Sequence, residues 1–179
     1  YIIDCYRGKL PAERHLGHLA VYVAFFPKLV AGPIERATNF LPQLREGVTF
    51  DPVRVTFGLQ MLLWGLFKKV VIADRLAEFV DAGFTNTAFQ SPVTVLISVY
   101  FYAFQIYCDF SGYSDMAIGL AAILGFTLNE NFRRPYLSRN VAEFWSKRWH
   151  ISLANWFRDY LYIPLGGSRV PRLHQYVNV

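Results

Sequence analysis

The longest run of the chain without a charged residue extends over residues 82–108, and it limits the possible folds more than any other feature. Its apolar part, residues 93–108, is interrupted only by three uncharged polar residues, Thr94, Ser98 and Gln105. A helix needs about 20 mainly apolar residues to cross a hydrocarbon core about 30 Å thick. This run therefore reaches spanning length only if its flanks are helical as well.

Three further apolar segments cover residues 55–73, 19–31 and 116–128. The first contains Lys68 and Lys69, which we expect to snorkel toward water or to lie at an interface. The other two are shorter than a full span. Segments of this length are expected to be broken spans, re-entrant pieces or buried helices. Sustained strand-like alternation is missing, and an open sheet cannot satisfy its edges in lipid.

Composition supports the same fold class. The chain is 54% hydrophobic and only 17% charged, whereas an ordinary soluble domain has about 25% charged residues. We therefore expect an all-α, polytopic membrane helical bundle with short re-entrant or interfacial helices. No repeat or flexible linker divides the sequence, so residues 1–179 are predicted to be a single, partial membrane domain.

Local signals predict where several helices begin. Asp51-Pro52 and Ser91-Pro92 each place a capping side chain before a proline suited to the first helical turn. A short interfacial helix is predicted at residues 37–44, and another helix begins near Asn140 or Val141. Gly112 is expected to loosen the helix that contains it.

The basic excess is concentrated near the end of the chain. Residues 1–129 hold ten basic and ten acidic residues, whereas residues 130–179 hold eight basic and three acidic ones. Short loops rich in Arg and Lys prefer the cytoplasmic side of a membrane. This preference places five residues near that face: Arg133, Arg134, Arg139, Lys147 and Arg148. Nucleic acid is a poor partner, because aromatic residues and prolines alternate with these cations and no binding module surrounds them.

One histidine occupies unusual surroundings within residues 145–167. If this segment is one helix, a single stripe contains Trp145, Trp149, Trp156 and Tyr160, while His150 lies on another face. A helix that is apolar nearly all round is usually buried, so His150 is expected to be an enclosed titratable group. A catalytic base and a buried histidine that joins two helices both fit this pattern.

Two carboxylates enter an otherwise apolar segment at Asp109 and Asp115. On a continuous helix they would point about 120° apart, so they are not expected to form one catalytic dyad. Because charges are costly at membrane depth, these residues are candidates for lining a tunnel or for pairing with cations such as Arg133 and Lys147. Pairing between neighbouring helices explains them equally well. No spacing of Cys5, Cys108 and the histidines indicates a metal site, and both cysteines are expected to be free thiols.

Three motifs together resemble the membrane-bound O-acyltransferases, and in particular their alginate O-acetylation branch. The motifs are Phe-Phe-Pro-Lys with Ala-Gly-Pro-Ile-Glu-Arg at residues 25–36, Tyr-Cys-Asp-Phe-Ser-Gly-Tyr-Ser-Asp-Met-Ala at residues 107–117, and residues 145–167. The resemblance runs from about Phe25 to Arg169 in the same order. It implies a many-helix membrane fold with a central tunnel, in which a thioester donor on one side acylates a hydroxyl associated with the other.

The resemblance also implies roles for particular residues. His150 matches a family position that holds His, Asn or Asp, and we expect it to be catalytic, either as the base or as a residue that orients substrate or supports the second histidine. A second family histidine stands in a later Leu-Trp-His-Gly context, which His174 does not match, so we expect a piece of a longer protein that is inactive alone. Substrate binding or tunnel lining is expected of six residues: Asp109, Asp115, Lys147, Arg148, Asn155 and Arg158.

The expected whole protein is a multi-pass enzyme of the inner (plasma) membrane. It would take an acetyl or acyl group from acetyl-CoA or an acyl carrier, with no bound cofactor or metal, and pass it toward an extracytoplasmic polysaccharide such as alginate through an accepting or transferring partner protein. Direct transfer is favoured, because no Gly-x-Ser-x-Gly elbow or reactive cysteine is present. The alternatives are another polymer, such as cellulose, D-alanylation of teichoic acid, and a noncatalytic scaffold or transporter in which Asp109, Asp115 and His150 form an ion path.

Overall fold

The computed structural model describes residues 1–85 and 87–171, apart from the side chain of Phe89. This described part is helical and contains no strand, only an isolated antiparallel bridge between Phe132 and Trp149. The all-α prediction is therefore confirmed. Two compact units are present: the first contains Tyr1–Gly32 and Arg36–Leu128, and the second contains Pro33–Glu35 and the chain from Asn129 on. The expectation of one domain stays a prediction.

The first unit begins with short helices, α1 (Ile2–Tyr6), α2 (Leu16–Ala24) and α3 (Ala37–Glu46). A tight 3₁₀ turn at Phe26–Lys28 follows α2. The helix predicted at residues 37–44 is therefore present and slightly longer than expected.

Aromatic packing holds these short helices together. Phe25, Phe40 and Phe126 lie with ring centroids 4.8–5.0 Å apart in each pair. Phe40 is fully buried at the centre of this cluster. Large rings in such contact contribute more than their buried area alone, so this cluster stabilises the N-terminal part of the unit.

Two long helical segments form the remainder of the first unit. The first contains α4 (Pro52–Leu66), a π-helical stretch (Phe67–Ala73) and α5 (Asp74–Phe84). The second is α6 (Pro92–Ile123). Among the described residues, these two segments are long and apolar enough to cross a membrane.

The predicted helix starts at these two segments are confirmed. The Asp51 carboxylate accepts a hydrogen bond from the Val53 N–H over 2.9 Å, and the Ser91 hydroxyl accepts one from the Thr94 N–H over 3.1 Å. The helix that contains the apolar part of the charge-free run reaches spanning length because it continues beyond residue 108 to Ile123. In α6 the helix continues through the acidic motif to Ile123 without a break.

Glycines mark where the two long segments cross. A Cβ atom on Gly65 would lie 2.4 Å from the Gly112 carbonyl oxygen, and one on Gly58 would lie 2.6 Å from that of Gly119. Because glycine has no Cβ, the two helix backbones can approach closely here, as small residues allow in membrane bundles. The expectation that Gly112 loosens its helix is wrong, because this residue provides close packing inside a continuous helix.

The second unit is built from shorter elements. A 3₁₀ turn at Pro135–Leu137 precedes α7 (Val141–Glu143), which continues as a π-helical stretch through Phe144–Arg148. The chain then forms α8 (Ile151–Phe157), a second π-helical stretch (Arg158–Tyr162) and a final turn (Gly167–Arg169).

The predicted helix start near residue 140 is confirmed. The Asn140 carboxamide oxygen accepts a hydrogen bond from the Glu143 N–H over 2.8 Å. The expected continuous helix through residues 145–162 is wrong, because the chain leaves helical geometry at Trp149 and His150.

Candidate active site

His150 lies at a break between two helical segments. Trp149 is extended, with φ −109° and ψ 122°, and His150 adopts the left-handed region, with φ 46° and ψ 55°. Histidine is among the few non-glycine residues that are enriched in this region. The break also divides the expected aromatic stripe into two pairs, which are Trp145 with Trp149 and Trp156 with Tyr160.

Pairing with the preceding loop maintains this break. The Arg133 N–H donates to the Arg148 carbonyl over 2.9 Å, and the Ile151 N–H donates to the Asn131 carbonyl over 2.9 Å. Between these two hydrogen bonds, the ring of Phe132 meets that of Trp149 edge to face at 5.1 Å. The Arg148 carbonyl and the Ile151 N–H, one on each side of His150, are therefore hydrogen-bonded to the loop, whereas the Trp149 N–H still donates to the Phe144 carbonyl over 2.9 Å.

A buried polar network lies directly behind His150. The Ser152 hydroxyl accepts a hydrogen bond from the Ile34 N–H over 3.0 Å and donates one to the Asn131 carboxamide oxygen over 2.6 Å. Asn131 is 1% exposed and Ser152 7%. Buried polar groups with satisfied partners favour a single arrangement, so this network fixes the start of α8.

Glu35 strengthens the same connection. Its carboxylate accepts hydrogen bonds from the backbone N–H of Asn129 over 2.9 Å and from the Asn129 side-chain amide over 2.9 and 3.0 Å. The Ala-Gly-Pro-Ile-Glu-Arg motif therefore reaches the histidine segment through Ile34 and Glu35, within one compact unit. The sequence did not predict these roles for Asn131 and Ser152, because their partners are distant in the chain and no spacing rule connects them.

The His150 side chain is half-buried, less enclosed than the sequence predicts. Burial lowers its pKa below the usual value of 6.5, since desolvation disfavours the charged ring. At neutral pH the imidazole is therefore mainly uncharged, which is the form that accepts a proton. Its backbone carbonyl accepts hydrogen bonds from Leu153 and Ala154 at 3.0 and 3.1 Å, so the residue also begins α8.

The basic residues near His150 have different surroundings. The Arg148 guanidinium contacts the Glu143 carboxylate at 2.7 Å and donates to the Arg133 carbonyl over 3.2 Å. The Arg139 N–H and this guanidinium hold the pKa of Glu143 below its usual value. Arg148 therefore has a structural role in addition to its predicted one, whereas Lys147 is exposed to solvent.

The remaining predicted residues of the second unit lie on or just after α8. Asn155 is half-buried within α8. The Arg158 Nε donates to the Asp159 carboxylate over 2.9 Å in an exposed position. Substrate binding by these residues, as by Lys147 and Arg148, stays a prediction, and His174 lies outside the described residues.

Asp109 and Asp115 belong to the first unit, where they pair with lysines across the helix crossing. Lys68 Nζ lies 2.6 Å from Asp115 Oδ2, and Lys69 Nζ lies 2.6 Å from Asp109 Oδ1. Lys69 also contacts Asp74 Oδ1 at 2.8 Å. The expectation that the two lysines snorkel or lie at an interface stays a prediction. The sequence left open whether Asp109 and Asp115 line a tunnel, pair with basic residues such as Arg133 and Lys147, or pair between neighbouring helices. The structure shows pairing between neighbouring helices.

A cavity of about 560 Å³ opens beside these pairs. All of its lining residues belong to the first unit: Ala31, Lys69, Ile106, Asp109, Phe110, Tyr113 and Met116. The Tyr113 hydroxyl donates to the Leu29 carbonyl over 2.9 Å and so holds the Phe-Pro-Lys segment against α6. Asp109 therefore lines this cavity as well as pairing with a lysine, and its predicted role in a substrate tunnel stays a prediction.

Two crossing helices of spanning length, with ion pairs along their contact, and a histidine fixed at a helix break define an α-helical membrane protein with a polar site. The chain belongs to the membrane-bound O-acyltransferase family, whose model matches residues 15–179. It is 47% identical over its full length to a probable alginate O-acetylase, AlgI, of Pseudomonas putida, of which it covers 36%.

Relatives that act on other polymers match as well. The chain is 42% identical to a peptidoglycan O-acetyltransferase of Helicobacter pylori, over 92% of the chain and 32% of that protein. It is 29% identical to a teichoic acid D-alanyltransferase of Bacillus subtilis, over 90% of the chain and 41% of that protein. The chain thus spans 32–41% of the length of these three curated relatives.

Proposed function

We propose that the whole protein is an O-acyltransferase that moves an acetyl group from a cytoplasmic thioester toward a hydroxyl of an extracytoplasmic polysaccharide, with alginate as the first candidate. The observation that supports this most is the 47% identity over the full chain to a probable alginate O-acetylase. The proposal includes a multi-pass location in the inner membrane, a donor such as acetyl-CoA or an acyl carrier, and a partner protein that accepts or passes on the acyl group.

His150 is the proposed general base. Its uncharged imidazole takes the proton of the acceptor hydroxyl as the oxygen attacks the thioester carbonyl. When the tetrahedral intermediate collapses, the carbon–sulfur bond breaks and the imidazolium returns that proton to the leaving thiolate. One ester and one thiol are formed from one thioester and one alcohol, with no net change in protons. The hydrogen bonds around Asn131 and Ser152 support this role by fixing the backbone that carries the ring.

Peptidoglycan is the second candidate acceptor, because the chain is 42% identical to a peptidoglycan O-acetyltransferase. Both acceptors require the same transfer to a sugar hydroxyl, so the histidine chemistry does not distinguish them. D-Alanylation has weaker support at 29% identity.

Expression of the full-length protein in a bacterium deleted for its own alginate O-acetylase tests the proposal. We expect ester-linked acetyl groups to return to secreted alginate, measured by alkaline release of acetate, while the muropeptides gain none. Acetylated muropeptides with unmodified alginate would favour the second candidate. If neither polymer gains acetyl groups and the purified full-length protein releases no thiol from acetyl donors, the enzymatic proposal is wrong.

The activity is expected to depend on pH through His150. Since burial lowers the pKa of this ring below 6.5, the base is present at neutral pH and is lost as the pH falls through a midpoint below 6.5. We expect kcat/KM for thiol release to be constant between about pH 7 and 8 and to fall on the acid side. An acid limb with its midpoint clearly above 6.5 would contradict this assignment.

A further inference from the structure

Five charged groups lie at or past the midpoints of the two long helical segments: Lys68, Lys69, Asp74, Asp109 and Asp115. They divide into a pair and a triad. In the pair, the side chains of Lys68 and Asp115 are only 11% and 17% exposed. In the triad, those of Lys69, Asp74 and Asp109 are 42%, 50% and 52% exposed. The pair is therefore enclosed between the helices, whereas the side chains of the triad are about half exposed.

The triad depends on the π-helical stretch at Phe67–Ala73. Lys69 and Asp74 are five residues apart, which on a regular α-helix turns their side chains about 140° away from each other. A π-helical turn closes i→i+5 hydrogen bonds, and the Asp74 N–H indeed donates to the Lys69 carbonyl. The wider turn brings both side chains to one face, where Lys69 bridges Asp74 and Asp109.

An exposed ion triad within a segment of spanning length is not compatible with direct contact with lipid tails. Charged side chains within spanning segments face a bundle interior or a water-filled space, because burial in hydrocarbon is costly. The cavity of about 560 Å³ lies at this position, with Lys69 and Asp109 in its wall. One water molecule occupies about 30 Å³ of the liquid, so the space is large enough for many of them.

The charge of the triad selects what can enter. Two carboxylates and one ammonium group give the triad a net charge of −1. Lys69 and Asp109 lie in the cavity wall, and Asp74 lies behind it in contact with Lys69. Each carboxylate gives its Oδ1 to Lys69, which leaves its Oδ2 as an acceptor for a further donor. A net negative charge beside a cleft with low-dielectric walls concentrates cations and repels anions. The remainder of the lining is mostly apolar, as in ligand cavities that use few polar groups.

We propose that this cavity is a water-filled vestibule that admits cationic solutes and neutral hydrogen-bond donors, such as ammonium and hydroxyl groups, and rejects anions. Phosphate-bearing donors and anionic polymer segments are therefore not its occupants. The vestibule gives solvent and small polar groups access to the middle of the two helices. This inference rests on the first unit alone and does not depend on the proposed acyl transfer.

Thiol labelling of the full-length protein in permeabilised membranes tests the vestibule. In a background without native cysteines, Ile106→Cys places a thiol in the cavity wall. The matched control is Phe104→Cys, at nearly the same depth but about 200° around α6. The probes are a trimethylammonium-bearing and a sulfonate-bearing methanethiosulfonate. The cysteine thiolate attacks either reagent, which forms a disulfide and releases methanesulfinate.

We expect the cationic reagent to modify Ile106→Cys about tenfold faster than the anionic one, and both to modify Phe104→Cys much more slowly. Thiolate formation affects both reagents equally, so the ratio of the two rates reports the electrostatic potential of the cavity. No reaction at Ile106→Cys, or reaction no faster than at Phe104→Cys, would overturn the vestibule. Equal rates for the two reagents, or a faster anionic one, would overturn its selectivity.

A second variant tests the source of this selectivity. Asp74→Asn removes one carboxylate charge from the triad and retains the Asp109 contact with Lys69. In the Ile106→Cys background we expect the ratio of the two rates to fall to about one, because the triad then has no net charge. An unchanged ratio would show that the triad does not set the potential of the cavity.

Discussion

Replacing His150 with Ala should lower acyl transfer by the full-length protein about 10²–10⁴-fold, the usual contribution of a positioned general base. The expected loss is in kcat, because the proton is removed during the chemical step. The measurement is thiol release from the acetyl donor by purified protein, compared with wild type at equal protein concentration.

His150→Asn separates catalysis from backbone geometry. Asn tolerates the left-handed conformation that His150 adopts with φ 46°, so this variant should retain the helix break. Asn cannot accept the proton at neutral pH. A general-base role therefore predicts that His150→Asn is as inactive as His150→Ala, whereas a positioning role, which the His, Asn or Asp of this family position would all allow, predicts that it stays active. Full activity of the Asn variant would assign a positioning role to this residue instead of the base.

His15→Ala is the control histidine replacement. His15 is exposed, and its ring caps α2 by accepting a hydrogen bond from the His18 N–H over 3.2 Å. Losing this cap should cost stability of about 1 kcal/mol or less and leave the acyl transfer rate unchanged. Undiminished transfer by His150→Ala under these conditions would refute the catalytic assignment.

Replacing Asp115 with Ala should lower the free energy of unfolding by about 3–5 kcal/mol, because it leaves an enclosed Lys68 ammonium without its carboxylate partner. The remaining contacts of the ammonium are weaker. It lies 5.7 Å from the ring centroids of Trp64 and Tyr107, which partly offsets the loss. Unfolding of the full-length protein in detergent, followed by heat or denaturant, measures the change.

Removing both charges should restore most of this stability. A Lys68→Met, Asp115→Leu double variant replaces the pair with apolar groups of similar volume, a change that is often neutral or stabilising. The matched control is Glu78→Ala, which breaks the exposed pair between Arg75 and Glu78 on α5. That pair should contribute at most about 1 kcal/mol. A loss at Asp115→Ala no larger than at Glu78→Ala would contradict the enclosed pair.

Local chemistry made several helix boundaries predictable. Asp51 and Ser91 begin helices because their side chains satisfy free backbone amides of the first turn, which depends only on adjacent residues. Asn140 begins α7 for the same reason. The all-α fold class was also predictable, since long apolar runs with few charges can satisfy their backbone in lipid only as helices.

Contacts between distant residues were not predictable in the same way. The ion pairs of Lys68 and Lys69 were not predicted, because their partners, Asp115 and Asp109, are more than 35 positions away. The crossing of Gly65 and Gly112 and the π-helical turn at Phe67–Ala73 bring these charges together. Neither feature produces a periodic signal in the sequence.

The sequence alone determined that the chain is helical, that it is suited to a membrane, and that His150 is the candidate base, because hydropathy, capping and motif order are properties of neighbouring residues. Only the tertiary structure decided that His150 lies at a helix break. A regular helix is the local preference of that segment, but hydrogen bonds to Asn131 and Arg133 and a buried Ser152 outweigh it. Those partners come from a different part of the chain, so their contribution exists only once the chain has folded.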